Sequence, residues 1–135
     1  MKLKTRRRVY LREAALMLAL AKLAVRFVPT ARLVAWASRT PRAATRFAMW
    51  EAGWIASAVE TVGAKPWMRA LCLPRALAAQ AMLRRRGIAC RLCVGVAREG
   101  ETLAAHAWIE LDHDIIVGGS DAPRFTRLVE FGENR

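Results

Sequence analysis

The sequence predicts an α+β fold: an all-helical first half, then one further helix and a small antiparallel sheet. Three observations predict it. Apolar residues recur at helical spacing as far as Gly63, Pro74 sits just inside the start of an Ala- and Leu-rich run, and from Ala89 onward short strand-like runs are separated by turn residues. With 135 residues, 55% of them apolar, the chain has material for one compact domain with a core.

In the first element, Val9 to Val28, Leu16, Leu20, Leu23 and Phe27 recur at helical spacing while Arg8, Arg12, Lys22 and Arg26 gather on another side, the pattern of an amphipathic helix. Arg12, Glu13, Lys22 and Arg26 interrupt it well short of the ~20 clean apolar residues a membrane span needs. Pro29 ends this helix and Thr30 can cap a second, from about Ala31 to Ser38. Pro41 breaks the chain again, and a third helix from about Ala43 stops at Gly63. Trp50 and Trp54, four apart, share one face of it as a packing seam.

Residues 1–65 thus form a basic helical segment and residues 66–135 the core that follows it, both within one domain. The charge is lopsided: residues 1–50 hold twelve of the 23 Lys and Arg against the single acid Glu13, so +11 of the formal +12 lies there. Such a face suits an anionic partner, whether an acidic peptide, nucleic acid or lipid headgroups. Three cysteines are an odd number, and no N-terminal stretch has a signal peptide's uninterrupted apolar core, so a reducing cytoplasm is the expected context.

The fourth helix runs from Cys72 to Arg86. Proline is tolerated only in a helix's first turn, so Pro74 pushes the start to Cys72 or Leu73, and Gly87 suits the left-handed residue just past the end. Three strands are expected at Ala89 to Ala97, Leu103 to Leu111 and Ile115 to Gly118, with turns at Glu99-Gly100 and Asp112 to Asp114. Arg124 to Phe131 alternates weakly enough to be a last strand, and Gly132 to Arg135 is expected to fray.

Cys72 stands where a thiol meets the positive end of a helix dipole, which favours the thiolate. A cysteine flanked by Leu71 and Leu73 also fits a buried apolar position, so a nucleophile needs a partner. His106 is the candidate, on the middle strand between the small residues Ala105 and Ala107. Cys90 and Cys93 point to opposite faces of a strand and have no second ligand pair at zinc spacing, so they read as structural. No metal, cofactor, phosphate loop or dinucleotide fingerprint is expected.

The order Cys72-Leu73-Pro74-Arg75-Ala76-Leu77, then Leu83-Arg84-Arg85-Arg86-Gly87-Ile88, Gly95-Val96-Ala97 and Ala105-His106-Ala107-Trp108-Ile109-Glu110-Leu111-Asp112 resembles the transglutaminase-like leader peptidases of lasso-peptide biosynthesis. The resemblance spans roughly Trp67 to Arg127. It implies a papain-related core, with the cysteine on a helix packed against an antiparallel sheet that presents His and then Asp. It also implies a cysteine protease that frees a core peptide for a separate lasso cyclase, with Cys72 as nucleophile and His106 as acid and base.

In that family the Asp stands about a dozen residues after the His, and here that position is Gly118. A tight turn at Asp112-His113 sets His106 across from about Gly119 and makes Asp121 its diagonal neighbour, so Asp121 is the expected third member. The family often carries a leader-recognition domain; this length has no room for a fused one, so a separate recognition protein joins the ribosomally made precursor peptide as expected partners. Nucleic acid is not an expected partner, and peripheral membrane contact stays open. Two alternatives keep the same residues: a non-enzymatic basic module on nucleic acid or anionic membrane, with Cys72 merely buried, and a transglutaminase-like acyltransferase that passes the acyl group to an amine.

Overall fold

A computed structural model describes residues 3–37, 46–111, 114–119 and 126–132. Helices α1 (Leu3–Phe27), α2 (Thr30–Ala37), α3 (Arg46–Gly63) and α4 (Cys72–Arg85) are followed by strands β1 (Arg91–Glu99), β2 (Thr102–Leu111), β3 (Asp114–Val117) and β4 (Thr126–Gly132). The strands form one antiparallel sheet in the order β3-β2-β1-β4, the α+β arrangement that the sequence predicts. The last strand does form, and Gly132 belongs to it rather than to a frayed end. Ser38, Pro41, Ala43, Asp112, His113 and Asp121 lie outside the described residues.

The long first helix differs from expectation in where it starts and in which face it buries. It begins at Leu3 rather than Val9, because Lys and Arg are good helix formers and nothing in that stretch breaks the turn. Tyr10, Ala14, Leu18 and Ala21 face the core, whereas Leu16, Leu20, Leu23 and Phe27 are each at least half exposed. The buried face mixes small and large residues, Ala14 and Ala21 with Tyr10 and Leu18, so the spacing of large apolar side chains alone does not pick it out.

Glu13, the one acid of the first 50 residues, ties α1 to the end of α4. Its Oε2 accepts from Arg86 Nη2 at 2.5 Å, and its Oε1 accepts from Nη1 of Arg86 at 3.0 Å and of Arg85 at 2.8 Å. These bonds from Arg86 hold the Glu13 carboxyl below the usual carboxylate range. Beside them Tyr10 donates to Glu51 of α3 at 2.5 Å; burial first, and then this acceptor, push its hydroxyl above the usual value. The guanidinium of Arg86 also lies 5.1 Å from the centre of the Tyr10 ring, so one arginine joins three helices.

The short α2 is held at its C-terminal end, where helix carbonyls lack intrahelical partners. Gln80 donates to the Ala37 carbonyl at 3.1 Å, and Arg84 donates to that of Trp36 while lying over the Trp36 ring. In α3, Trp54 packs on the core but Trp50 is largely exposed, meeting Trp54 edge to face at 6.3 Å and stacked under Arg6. The expected packing seam is therefore half a surface feature.

Helix α4 begins and ends where its proline and glycine require. It starts at Cys72, with Pro74 in the first turn. Past its end Gly87 has φ +71°, Ile88 N–H donates to Leu83 O, and Gly87 N–H donates to Arg84 O, both at 3.0 Å: a complete Schellman motif. This turn delivers Ile88 and Cys90 into the core ahead of β1.

Strand alternation then sorts β2 by face. Ala107, Ile109 and Leu111 join the core with Leu77 and Leu83 of α4, while His106, Trp108 and Glu110 fall on the opposite side, where Trp108 meets Cys93 of β1 in a second buried cluster. Cys90 and Cys93 are separated in this way, Cys90 in the first cluster and Cys93 in the second. No helix among the described residues is long and apolar enough to cross a membrane.

Candidate active site

Cys72 and His106 line the same cleft, a cavity of about 220 Å³ completed by Glu60, Ala70, Arg75, Val117 and Gly118. Both are partly exposed, whereas Cys90 and Cys93 are buried; the three are thiols without a disulfide. A larger groove of about 370 Å³ between α1, α2 and α4 is lined by apolar side chains and Arg32. It holds no nucleophile and no group able to move a proton at neutral pH, so the smaller, more polar cleft is the candidate for chemistry.

Cys72 is placed by the segment before it. Leu71, extended at φ −77° and ψ 178°, precedes the helix, and no side chain caps α4. The Cys72 and Leu73 N–H groups have no intrahelical carbonyl to meet, and Pro74 carries no N–H at all. The connection from α3 is pinned at four points: Ala70 N–H donates to Gly63 O at 3.0 Å, Lys22 Nζ to Met68 O at 2.5 Å, Arg75 Nε to Ala70 O at 2.8 Å, and Arg75 N–H to Leu71 O at 3.2 Å.

Arg75 also reaches Glu60 at 3.4 Å, closing the cleft floor between α3 and α4. That reach depends on Gly63, where a Cβ would stand 2.8 Å from Arg75 Nε. Sequence reasoning missed this pair. Arg75 sits one helical turn past Cys72, a spacing that could have drawn attention to it; nothing in the sequence marks Glu60 as its partner.

His106 is held on two sides. Its Nε2 lies 2.9 Å from the Gly118 carbonyl oxygen, and its ring stacks on that of Trp108 with centroids 5.9 Å apart and planes at 24°. Trp108 is itself fixed, its indole N–H donating at 2.8 Å to the buried Glu110, which Arg91 approaches at 3.7 Å. Glu110 thus does more than share a strand with His106: it anchors the indole on which His106 rests.

Gly118 comes to His106 through a bulge. Leu111 pairs with Asp114 and Glu110 with Ile115, but Ile109 pairs with Val117, so one extra residue shifts the register by one from that of a regular hairpin. The strand ends at Val117, and Gly118 follows with φ +79°. Asp121, the expected third member, lies outside the described residues. Among the described residues no three His, Cys, Asp or Glu side chains gather as a metal site.

A cysteine at a helix start and a histidine on a strand beside it, opening on one cleft, suit nucleophilic attack with proton transfer. A family model for the transglutaminase-like superfamily matches residues 14–130, across both the helical half and the sheet. No curated protein and no solved structure matches the chain.

Proposed function

The chain belongs to the transglutaminase-like superfamily, which includes cysteine peptidases and acyltransferases, and from that membership we propose that it is a cysteine peptidase that removes the leader from a lasso-peptide precursor. The observation that carries this reading is the cleft shared by Cys72 and His106. The resemblance of the Cys72 and His106 segments to lasso-peptide leader peptidases supplies the substrate class.

In the proposed reaction the Cys72 thiolate attacks the carbonyl carbon of the scissile peptide bond, and the Cys72 backbone N–H helps hold the oxyanion at the uncapped helix start. As the C–N bond breaks, His106 protonates the departing amine, which is the N-terminus of the core peptide. Water, deprotonated by His106, then attacks the thioester and releases the leader as a carboxylate. Asp121 is the candidate to stabilise the imidazolium that forms in both steps.

On this reading the partners are the precursor, a separate leader-recognition protein and a lasso cyclase, in the cytoplasm. The cationic α1, with Arg6, Arg7, Arg8 and Arg12, suits the recognition protein or an acidic leader.

Incubation of the chain with a precursor and its recognition protein, followed by mass spectrometry, tests the proposal. Hydrolysis should yield the leader carboxylate and the free core peptide, and Cys72→Ala and His106→Ala should yield neither. Undiminished cleavage by either variant would sink the mechanism. A leader joined to an added amine would point to the acyltransferase, and full function of Cys72→Ala in salt-sensitive binding would point to the non-enzymatic module.

A further inference from the structure

We propose that the main-chain carbonyl of Gly118 sets the tautomer and orientation of His106, the positioning role that a side-chain carboxylate fills in a Cys-His-Asp triad; the proposal rests on the reading of Cys72 and His106 as nucleophile and base. A carbonyl oxygen can only accept, so the 2.9 Å contact requires the proton to be on Nε2. Nδ1 is then the ring nitrogen able to take a proton from the Cys72 thiol or from water, and to return it to the leaving amine.

The backbone at Gly118 is shaped for this contact and leaves no room for a side chain. Its φ of +79° is one that residues with a Cβ rarely adopt. A Cβ built there would stand 3.0 Å from the Ala107 carbonyl oxygen, 3.1 Å from Trp108 Cβ and 3.2 Å from His106 Nε2. The first two atoms belong to, or stand next to, the backbone of β2 and cannot rotate away. The extra residue in the β3 pairing brings this carbonyl to the ring, and the Trp108 indole supports the ring's face. Hydrogen bond and stacking together fix the imidazole in direction and in plane.

A triad carboxylate does two things: it selects the tautomer, and it stabilises the imidazolium. Here a neutral dipole of the main chain takes up the first, and the second falls to a carboxylate, for which Asp121 is the candidate. The two roles can therefore be measured apart.

The test reads the ring itself. The sequence holds two histidines, His106 and His113, so a two-bond proton–nitrogen correlation spectrum of the ¹⁵N-labelled full chain, at a pH where imidazole is neutral, is simple to assign with His113→Gln. His106 should show protonated Nε2 and unprotonated Nδ1 in the wild type and equally in Asp121→Asn. In Gly118→Ala the tautomer should become mixed, with kcat down about 10²-fold and KM changed much less. A proton on Nδ1 in the wild type, loss of the Nε2–H tautomer in Asp121→Asn, or an unaltered spectrum and kcat in Gly118→Ala would each overturn the proposal. If Gly118→Ala does not fold, the first two spectra decide. A wild type inactive on every precursor would remove the peptidase reading alone, because the tautomer is read without substrate.

Discussion

Gly63 and Arg75 lie so close that a Cβ on the glycine would stand 2.8 Å from the Nε of the arginine, at the point where α3 hands the chain over to the helix that begins with Cys72. The same Nε holds the Ala70 carbonyl two residues before Cys72. Gly63→Ala should therefore displace the guanidinium and the turn it holds. Cleavage is expected to fall by roughly 10- to 100-fold in kcat/KM, with the far-ultraviolet circular dichroism spectrum unchanged. Arg75→Lys, which keeps the charge but cannot span Ala70 and Glu60 together, should fall comparably. Wild-type rates in both variants would show that Cys72 does not depend on this clamp.

Burial separates the three thiols. Cys72 borders the cleft, while Cys90 is 2% exposed and Cys93 is fully buried. Brief treatment of the native protein with iodoacetamide should give a single adduct, located on Cys72 by peptide mapping and absent from Cys72→Ala. Equal labelling of the three would contradict the core placement of the other two.

Trp108 and Glu110 should behave as parts of the His106 support. Trp108→Phe keeps an aromatic ring but removes the N–H that Glu110 Oε2 accepts inside the protein. A loss of about 1–3 kcal/mol in urea unfolding is expected, together with a drop in kcat as the surface under His106 shrinks. If stability and kcat both hold, the stack is incidental.

Glu13 gives stability a pH dependence. Its carboxyl titrates below the usual range in the folded protein because Arg86 hydrogen-bonds the charged form. The stabilisation is complete above the pKa of the unfolded chain and is lost as pH falls through the lower folded value. Glu13→Gln should lower stability by roughly 1–3 kcal/mol at neutral pH, and the difference from wild type should shrink as the solution is acidified below the usual carboxylate range. Thermal unfolding of the two proteins across the acid range measures it; a constant gap would exclude the linkage.

Much of the framework was legible because single residues with strict backbone demands mark it. Pro74 put the helix start at Cys72 or Leu73, Gly87 stopped that helix, and the turn residues at Glu99-Gly100 and Asp112 to Asp114 set the histidine on the middle strand of a meander. The buried side of α1 was not legible, since it depends on which helices approach, and the face they cover mixes Ala14 and Ala21 with Tyr10 and Leu18 rather than gathering the large apolar residues. Nor was the bulge in the β3 pairing, because an extra residue in a strand leaves no mark in the alternation of so short a segment. The Glu60–Arg75 contact joins two helices through a loop whose shape the sequence does not specify.

The strand order has a consequence for the sequence of events in folding. Cys72 and His106 belong to one uninterrupted stretch, α4–β1–β2, whose hairpin closes over Gly100 and Glu101 alone. β4, in contrast, must travel back past two strands to reach the far edge of β1. Local closure is fast and distant pairing slow, so the two cleft side chains are expected to meet before the sheet is finished. In a refolding experiment with pulsed hydrogen exchange, β1 amides bonded to β2 should gain protection ahead of those bonded to β4.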